Sequence, residues 1–585
     1  RQFPGTDIRS VLENRTQLFI RSNGPGGLAT VSVRGLAARQ TQILWNGFNL
    51  NHPMLGLTDL SLIPTGLVNR MEVIGGQSAT AYGNAAAGGA VWLESGLSGK
   101  NMRLNHTTGS FGKNVSSGVI SWSEGRWTAG VWGQYENSDN DFDFRINRFS
   151  NEEGRVIERT ENRENNGLES VNLMAQGGYK SGNYSLESLL WFFDSDNRLP
   201  GGLQSLSEST RQEDSAIRWF TRSVLELGSS ELELKTLFNR QELDFFDTAS
   251  GIESLSRTRA ISLDANWRWQ AASRFRVSIL TNAGHTDAVT NNFNGNQNQW
   301  QFSVSGNTIW QPFVPLHIFT GLRYDYFEIS GDDISASLGF NYNLIEDVLF
   351  LKSEGSRNFV APTFNDLFWV PGGNRNLDAE TNFKIEGGVQ MISELPGFTA
   401  DLELTGFWIR QHDGIRWIPD SRTGIFSPVN IDEIGTNGIE ARLNQSWHLF
   451  RPLRVDTRFS IGKTNASVKR DRFDDNRTVG KQLPQVPELS IRAGADLGWK
   501  NASMGFSYIQ NSERYTTPDH SSPLDPLQGF EVSDIYAGYN FRIDNFGAGL
   551  FARVNNIFDE RYQVIRNFPM PGRHFELTFR LDFEP

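Results

Sequence analysis

The chain has 585 residues, a formal net charge of −12 and no cysteine. The absence of cysteine excludes disulfides, thiolate metal sites and a cysteine nucleophile, and the negative charge argues against a nucleic-acid binder, which needs basic surface. Aromatic residues make up 12% of the chain, yet the mean hydropathy is −0.43 and no apolar run is long enough for a spanning helix. Barrel strands alternate apolar and polar residues, so this composition fits a membrane barrel.

The N-terminal region, up to about Ser98, is rich in Gly, Ala, Leu and Val and carries a series of short motifs. We expect one domain over residues 1–98 and a second over residues 99–585. The chain has no signal peptide and starts at Arg1 in what looks like the middle of a domain, so we expect that it was processed or trimmed. The motifs are Thr30-Val31-Ser32-Val33-Arg34-Gly35, Ile43-Leu44-Trp45-Asn46-Gly47, Asn69-Arg70-Met71-Glu72-Val73-Ile74, Ser78-Ala79-Thr80-Ala81-Tyr82-Gly83-Asn84 and Ala87-Gly88-Gly89-Ala90-Val91-Trp92-Leu93.

From about Asn101 to the end, apolar and polar residues alternate in segments that are often nine or ten residues long. A period of two places successive side chains on opposite faces of a sheet, and this length suits a tilted strand that crosses a bilayer. The clearest apolar faces are Trp127, Ala129, Val131, Gly133 and Tyr135; Leu263, Ala265, Trp267 and Trp269; Ala400, Leu402, Leu404, Gly406 and Trp408; and Phe575, Leu577, Phe579, Leu581 and Phe583.

Two features favour a lipid-facing barrel over a soluble sandwich. The polar faces carry charges such as Arg268, Glu403 and Arg458, which a wet lumen tolerates and a dry core does not. Aromatic residues also cluster near segment ends, as in the interfacial girdles of membrane barrels. These are Trp267 and Trp269, Tyr324 and Tyr326, and Trp408 and Trp417.

The size of the second region sets the number of strands. At roughly 22 residues for each strand and its connection, it allows about 22 strands, and the lumen of such a barrel needs a plug. The polar stretch 147–166 is typical of an extracellular loop. We therefore predict an all-β transmembrane fold, an antiparallel outer-membrane β-barrel of about 22 strands with an N-terminal α+β plug domain in its lumen.

The order and spacing of the N-terminal motifs resemble the plug domain of TonB-dependent outer-membrane transporters. The second region is similar to the barrel of that family at four further segments. These are Ala361-Pro362-Thr363-Phe364-Asn365-Asp366-Leu367, Asn437-Gly438-Ile439-Glu440, Val554-Asn555-Asn556-Ile557-Phe558-Asp559-Glu560-Arg561-Tyr562 and Pro571-Gly572-Arg573.

This resemblance implies active uptake of a large, scarce nutrient across the outer membrane of a Gram-negative bacterium. The implied partners are TonB with its inner-membrane energising complex, the lipid bilayer and lipopolysaccharide, and the family allows a surface lipoprotein lid. No nucleic acid and no required cofactor are implied.

The chain departs from the family pattern at several positions. Asn46 replaces the usual Asp, Gly75-Gly76 replaces the usual Arg-Gly, and the last strand ends Phe583-Glu584-Pro585 rather than at an aromatic residue. No TonB box precedes Arg1, so energy coupling is implied by the resemblance alone.

Five plug residues are candidates for a structural or charge role: Arg34, Gly35, Glu72, Tyr82 and Gly83. We expect Arg34 and Glu72 to be buried or half-buried charges, paired with each other or with lumen charges. A plug held by polar and ionic contacts moves under force more readily than one held by a dry apolar interface. The alternative is that both charges only fix the fold of the plug. The glycines are expected at turns and close approaches rather than at ligand contacts.

The plug stretches 22–30 and 49–56 resemble the cobalamin-transporter branch, whose ligand is large, amide-rich and carries few charges. The resemblance implies ligand contacts from apical loops, and the alternative is a structural plug loop. A ferric-siderophore site would instead favour clusters of Arg and Lys, and the plug loops have none. The ligand candidates are Asn46, Phe48, Asn49, Asn51, His52 and Met54.

Asp139, Asp141 and Asp143 have a spacing of two and can point the same way, as the ligands of a hard cation do. The cobalamin transporters use calcium in early extracellular loops, so the resemblance implies a calcium site that Asp194 and Asp196 could join. The alternative is a solvated acidic loop.

Two other classes of protein remain as alternatives. An outer-membrane enzyme needs a nucleophile–base set or paired carboxylates, and the sequence has neither a Gly-x-Ser-x-Gly elbow nor a His-Glu-x-x-His motif. A plugged barrel can also be a scaffold in an outer-membrane assembly.

Overall fold

The computed structural model describes residues 7–75, 82–97, 99–150, 155–419, 423–431, 433–450, 452–470 and 477–583. Several sequence features lie wholly or partly outside these residues: Gly76, residues 78–81 of the fourth motif, residues 151–154 of the polar stretch 147–166, and Glu584 and Pro585. Among the described residues, no helix is long and apolar enough to cross a membrane.

The plug begins with helix α1 (Ile8–Arg15), whose N-cap Asp7 accepts a hydrogen bond from the Ser10 amide at 2.8 Å. A two-stranded hairpin and a four-stranded sheet follow. Short 3-10 helices span Ala38–Gln40, Leu60–Leu62 and Thr65–Leu67. The plug strands are β1 (Phe19–Ser22), β2 (Ala29–Ser32), β3 (Gln42–Trp45), β4 (Phe48–Asn49), β5 (Arg70–Ile74) and β6 (Ala90–Glu94).

The remaining strands follow in chain order. They are β7 (Asn101–Gly109), β8 (Asn114–Glu124), β9 (Trp127–Ser138), β10 (Asp143–Ser150), β11 (Arg155–Asn162), β12 (Leu168–Ser181), β13 (Tyr184–Arg198), β14 (Gly201–Gly202), β15 (Ser205–Leu206), β16 (Arg211–Leu227), β17 (Ser230–Asp247), β18 (Ile252–Ala272), β19 (Phe275–Thr290), β20 (Gln297–Phe313), β21 (Leu316–Phe327), β22 (Gly331–Ile345), β23 (Leu349–Val360), β24 (Glu380–Leu395), β25 (Phe398–His412), β26 (Gly414–Pro419), β27 (Phe426–Ile431), β28 (Glu433–Phe450), β29 (Leu453–Arg470), β30 (Leu489–Trp499), β31 (Ala502–Asn511), β32 (Phe530–Ile543), β33 (Phe546–Asn555) and β34 (His574–Phe583). A five-residue helix, α2 (Phe364–Phe368), lies between β23 and β24.

Twenty-two of these strands form one closed antiparallel barrel, and β34 pairs with β7 to complete it. The predicted fold class is therefore confirmed. The alternation explains the closure, because each strand has an outward face and a lumen face. On β34, Phe575 and Phe579 are 55% and 48% exposed on the outer wall, whereas Thr578 is buried and lies 2.7 Å from Thr107 across the seam.

One end of the barrel has short turns, such as residues 544–545, and the other has long connections, such as residues 512–529. Outer-membrane barrels have their short turns on the periplasmic side, so the long connections are extracellular. Helix α2 and the hairpins β10–β11, β14–β15 and β26–β27 lie in these connections, outside the barrel sheet. The polar stretch 147–166 thus contains parts of a paired hairpin.

Five of the six predicted girdle residues lie on the outer wall: Trp267, Trp269, Tyr324, Tyr326 and Trp408. The prediction was wrong for Trp417. This residue belongs to β26 in an extracellular hairpin, and its Nε1 donates to Asp366 Oδ1 of α2 at 2.9 Å. A short alternating segment of a hairpin has the same sequence pattern as a barrel strand, so the pattern could not separate the two.

The plug core continues into one side of the barrel wall. The ring of Trp45 lies 5.3 Å from that of Trp191 on β13 and 5.9 Å from that of Phe220 on β16, and all three side chains are buried. The expectation of a plug held by polar and ionic contacts is therefore incomplete, since an apolar contact fixes this side.

Candidate ligand cavity and plug contacts

A cavity of ≈ 240 Å³ lies between the plug and the lumen face of strands β17 to β21. The segment after β23 and the start of α2 border it at the extracellular end. Four of the six predicted ligand residues line it: Phe48, Asn49, Asn51 and His52.

Asn46 does not line the cavity. It adopts φ +50 at the turn between β3 and β4, and its buried Oδ1 accepts from the Ser95 amide at 3.0 Å. An Asn tolerates the left-handed conformation better than most residues, so this position serves the turn and joins it to the end of β6.

Met54 is also outside the cavity. It is 1% exposed and packs with Phe364 and Phe368 of α2 and with Phe293 of the loop before β20. The helix that covers Met54 is far away in sequence, so the plug sequence gives no sign that this apical residue is buried.

Asn51 lines the cavity but uses its amide to hold the plug loop. Its Nδ2 donates to the carbonyls of Thr41 and Gly56, both at 3.1 Å, and its Oδ1 accepts from Thr58 Oγ1 at 2.9 Å. Asn49 is exposed, with its Oδ1 bonded to the Asn51 amide, so the Asn49 Nδ2 group is the better placed to meet a ligand.

His52 combines burial with an unsatisfied donor. Its side chain is 4% exposed, and its Nδ1 accepts from the Met54 amide at 3.2 Å. Burial, with Arg218 nearby, lowers the pKa of His52 to about 4. The ring is therefore neutral near pH 7, and because Nδ1 is an acceptor, Nε2 carries the proton. This buried N–H has no partner among the described residues.

Two further buried atoms of cavity-lining residues have neither a hydrogen bond nor an ion pair among the described residues: Gln42 Oε1 on β3 and Asn239 Oδ1 on β17. Both are hydrogen-bond acceptors. Arg39 Nε also has no hydrogen bond, but it lies 3.4 Å from Glu380 Oε1 in an ion pair. The cavity therefore presents one donor and two acceptors that the protein itself does not satisfy, and buried polar groups are rarely left so.

The cationic side chains of the cavity wall are paired with carboxylates. Arg323 Nε donates to Asp325 Oδ2 at 2.8 Å, and both residues are buried. Arg39 of the plug lies 2.9 Å from Asp366 and 3.4 Å from Glu380. Much of the remaining polar lining consists of amides.

Barrel residues in this lining were not predicted from the sequence. Every barrel strand has polar lumen positions, and only the tertiary fold selects the few that meet the plug. The amides contributed by the barrel are Asn239, Asn282, Gln299 and Gln301.

Arg34 is an ionic link between plug and barrel. Its Nη1 lies 2.5 Å from Glu386 Oε2 of β24 and its Nη2 lies 2.8 Å from Glu440 Oε2 of β28. Its guanidinium also lies 4.4 Å from the centre of the Phe407 ring. Burial alone lowers the pKa of Arg34, but Glu440 and Glu386 outweigh it and raise that pKa above its usual value. Arg34 thus pairs with lumen charges.

Glu72 does not have the predicted place. It is exposed rather than buried or half-buried, and it pairs with the exposed Arg70 at 2.8 Å rather than with Arg34 or a lumen charge. No residue of β5 is buried, so Glu72 lies on a strand that leaves its charge accessible to solvent.

The predicted glycines lie at close approaches. Gly35 has φ +79, and a Cβ there would lie 2.7 Å from the Cβ of Ala466 on β29. Gly83, with φ +81, packs directly on the Arg323 guanidinium, and the adjacent Tyr82 ring lies 5.6 Å from that of Trp92.

The five aspartates proposed for calcium are not assembled into one site. Asp139, Asp141 and Asp143 are exposed, and only Asp143 belongs to a strand, β10. Asp194 and Asp196 lie on β13, where Asp196 pairs with Arg211 at 2.6 Å. Within the described residues, no group of three or more His, Cys, Asp or Glu side chains could hold a metal ion.

Two family models match the chain. The model described as TonB-dependent Receptor Plug Domain matches residues 1–90, and the model described as TonB dependent receptor-like, beta-barrel matches residues 86–557. The chain belongs to the TonB-dependent receptors. The receptor is therefore a Gram-negative outer-membrane protein that carries out TonB-dependent transport, with TonB as its partner.

The receptor is similar in sequence to the vitamin B12 transporter BtuB of Vibrio vulnificus, with 24% identity over 96% of this chain and 84% of the relative. Its fold is similar to that of the FrpB iron transporter from Neisseria meningitidis, with a TM-score of 0.78, 15% identity and coverage of 100% and 97% of the two chains. It is also similar to the ferric enterobactin receptor of Pseudomonas aeruginosa, with a TM-score of 0.79, 17% identity and coverage of 99% and 96%.

Proposed function

We propose that the receptor takes up cobalamin or a related corrinoid. The observation that carries the proposal is the set of unpartnered buried atoms around the cavity: the donor His52 Nε2 and the acceptors Gln42 Oε1 and Asn239 Oδ1. Amide side chains of a corrinoid offer both carbonyl acceptors and N–H donors, so one ligand can satisfy all three.

Energetics favour such a ligand. A buried polar group without a partner costs about 1–3 kcal/mol, and a ligand that supplies the missing hydrogen bonds removes that cost. An apolar ligand would leave these atoms unpaired.

The cavity is smaller than the roughly 300–1,000 Å³ of pockets that enclose a drug-sized ligand. A corrinoid is larger still. We infer that the cavity receives one amide-bearing edge of the ligand, while the rest lies toward the extracellular loops.

Uptake of a ferric siderophore is the alternative, and some proteins of similar fold are named for such ligands. An anionic chelate needs free cations, but Arg323 and Arg39 of this cavity are already paired with carboxylates. The named transport activity of the sequence relative also supports a corrinoid. The family consists of transporters and receptors, and we propose that this chain is not an enzyme.

The proposal is tested by titration calorimetry of the detergent-solubilised receptor with cyanocobalamin and, separately, with ferric siderophores. We expect cyanocobalamin to bind at micromolar or lower concentration and the siderophores not to bind. Gln42→Leu and Asn239→Leu each remove one acceptor, and each is expected to weaken cyanocobalamin binding about fivefold to tenfold.

The matched control is Asn183→Leu, in the turn between β12 and β13 at the opposite end of the barrel, where the amide bonds the Glu226 carbonyl. It is expected to leave affinity unchanged. A receptor that binds a siderophore and not cyanocobalamin would contradict the substrate proposal and leave the transporter family standing.

A further inference from the structure

Three arginines lie on the outer wall of the barrel at the extracellular end of β17 and β18. Arg240 is directly opposite Arg259, and Arg257 is directly opposite Glu242. Glu242 is shared, since it lies 2.5 Å from Arg240 and 3.5 Å from Arg257. We call these three residues the rim arginines.

Arg259 is the unsatisfied member of this group. It is exposed, and among the described residues it has no ion pair or hydrogen bond. On its other side Arg259 is directly opposite Asp287 of β19. The three rim arginines therefore have two carboxylates beside them, Glu242 and Asp287. Like charges directly opposite each other on a sheet are unfavourable, and an external anion would relieve this repulsion.

The rim arginines lie at the level of the outer headgroups. Ile261 is the next outward-facing residue below Arg259 on β18. It is opposite His285 of β19, which in turn is opposite the exposed Trp300 of β20, so an aromatic residue lies at this level of the wall. Trp269 marks the other interface on the same strand. Ten residues separate Arg259 from Trp269, or ~33 Å along a strand, and a tilt of about 40° reduces this to about 25 Å, the height of the apolar band.

An apolar groove of ≈ 430 Å³ lies on the wall below the rim arginines. Its lining includes the small side chains of Ala265 and Ala283 and the larger ones of Leu263, Phe302 and Tyr324. Leu263 is four residues from Arg259 along β18, about 13 Å. A cationic cluster therefore lies above an apolar groove, and the separation is that of the head and tail of one lipid.

We propose that this wall binds one molecule of lipopolysaccharide, with a phosphate on the rim arginines and an acyl chain in the groove. Guanidinium groups bind phosphate through paired N–H donors, and basic clusters at a membrane surface bind anionic headgroups. The extracellular position selects the phosphorylated glycolipid of the outer leaflet. The inference rests on the outer-membrane location and does not depend on which nutrient the receptor carries.

The test is native mass spectrometry of the delipidated full chain with added deep-rough lipopolysaccharide or phosphatidylglycerol. We expect wild type to retain one lipopolysaccharide and little phosphatidylglycerol. Arg259→Gln is expected to weaken retention about tenfold, because a charge-assisted contact is lost. Ala283→Phe fills the groove and is expected to weaken it as well.

The control variants carry the same two kinds of substitution at positions away from the rim arginines and the groove. Arg145→Gln lies in the extracellular hairpin β10–β11, and Ala537→Phe lies on the exposed face of β32. Both should retain lipopolysaccharide as wild type does, and cyanocobalamin binding should be the same in all variants. Folding is checked by the mobility of unheated protein on gels.

Three outcomes would overturn the inference. They are no retention by wild type, retention by folded Arg259→Gln and Ala283→Phe equal to that of the controls, and equal retention of phosphatidylglycerol.

Discussion

At the scale of the residue, His52 has two separable tasks. Its Nδ1 holds the plug loop through the Met54 amide, and its Nε2–H is free to meet a ligand. The side chain of Asn places an acceptor where Nδ1 lies, whereas the side chain of Gln reaches the position of Nε2.

We therefore expect His52→Asn to keep the stability of the plug and to bind cyanocobalamin about tenfold more weakly. His52→Gln should keep more of the affinity but lower the thermal stability of the receptor. Calorimetry and thermal unfolding measure the two effects. If both variants lose affinity and stability to the same extent, His52 acts only as a loop residue.

The lowered pKa of His52 also predicts a pH dependence of stability. The folded pKa of about 4 lies below the ordinary value of 6.5, so this group contributes stability that is complete above pH 6.5 and is lost as the pH falls toward 4. The shift corresponds to about 3 kcal/mol.

The measurement is the difference in unfolding temperature between wild type and His52→Asn at pH about 7 and about 5. Acid should destabilise wild type more. Burial raises the pKa of Asp59 to about 6 and has the opposite effect, since its contribution is lost as the pH rises. Asp59 is present in both proteins, so its effect cancels. An equal acid response in the two proteins would contradict the burial of a neutral His52.

At the scale of the element, the plug is held differently on its two sides. Trp45 packs against Trp191 and Phe220 through a buried apolar contact, whereas Arg34 meets Glu386 and Glu440 on β24 and β28. Ion pairs need exact partners, and removing one partner leaves an uncompensated buried charge.

Arg34→Gln is expected to destabilise the plug by about 3–5 kcal/mol, because Glu440 then loses this cation and Glu386 is left with Lys384, at 3.5 Å. The control is Arg70→Gln, whose pair with Glu72 is exposed and should contribute less than about 1 kcal/mol. Urea titration monitored by proteolysis of the plug compares them. Similar midpoints for both variants would show that Arg34 is not a structural link.

Helix α2 is joined to its surroundings through Asp366. This buried carboxylate accepts from Thr363 Oγ1 at 2.8 Å, from Arg39 Nη2 of the plug at 2.9 Å, and from Trp417 Nε1 of the hairpin β26–β27 at 2.9 Å. It thus connects an extracellular loop helix, the plug and a loop hairpin.

Asp366→Asn should loosen the attachment of helix α2 to the plug and to the hairpin β26–β27. The neutral amide no longer balances the charge of Arg39, and it offers one acceptor oxygen in place of two. We expect faster hydrogen exchange in residues 363–369 and an increased rate of cyanocobalamin association. Asp378→Asn, in an exposed part of the same connection, is the control. Unchanged exchange in residues 363–369 would mean that apolar packing around Met54 alone holds α2.

At the scale of the whole molecule, the barrel could be predicted because each strand carries its own outward face. The period of two in β9, β18, β25 and β34 is a local property, and burial in the structure follows it. The plug could be predicted from the order of its motifs.

Tertiary contacts between distant segments could not be predicted in this way. Met54 is covered by α2, Glu72 lies on a strand with no buried residue, and Trp417 lies in a loop hairpin. The acceptor Asn239 is one of many polar lumen residues, and only its position opposite the plug distinguishes it. The sequence therefore predicted the plug-loop residues of the candidate site but not the barrel residues that face them.

The most direct test of the account is an experimental structure of the receptor with cyanocobalamin bound. We expect amide groups of the ligand within ~3.2 Å of His52 Nε2 and of the acceptor oxygens of Gln42 and Asn239. A corrinoid bound without contact to any of these three atoms, or a receptor that takes up no corrinoid at all, would contradict it.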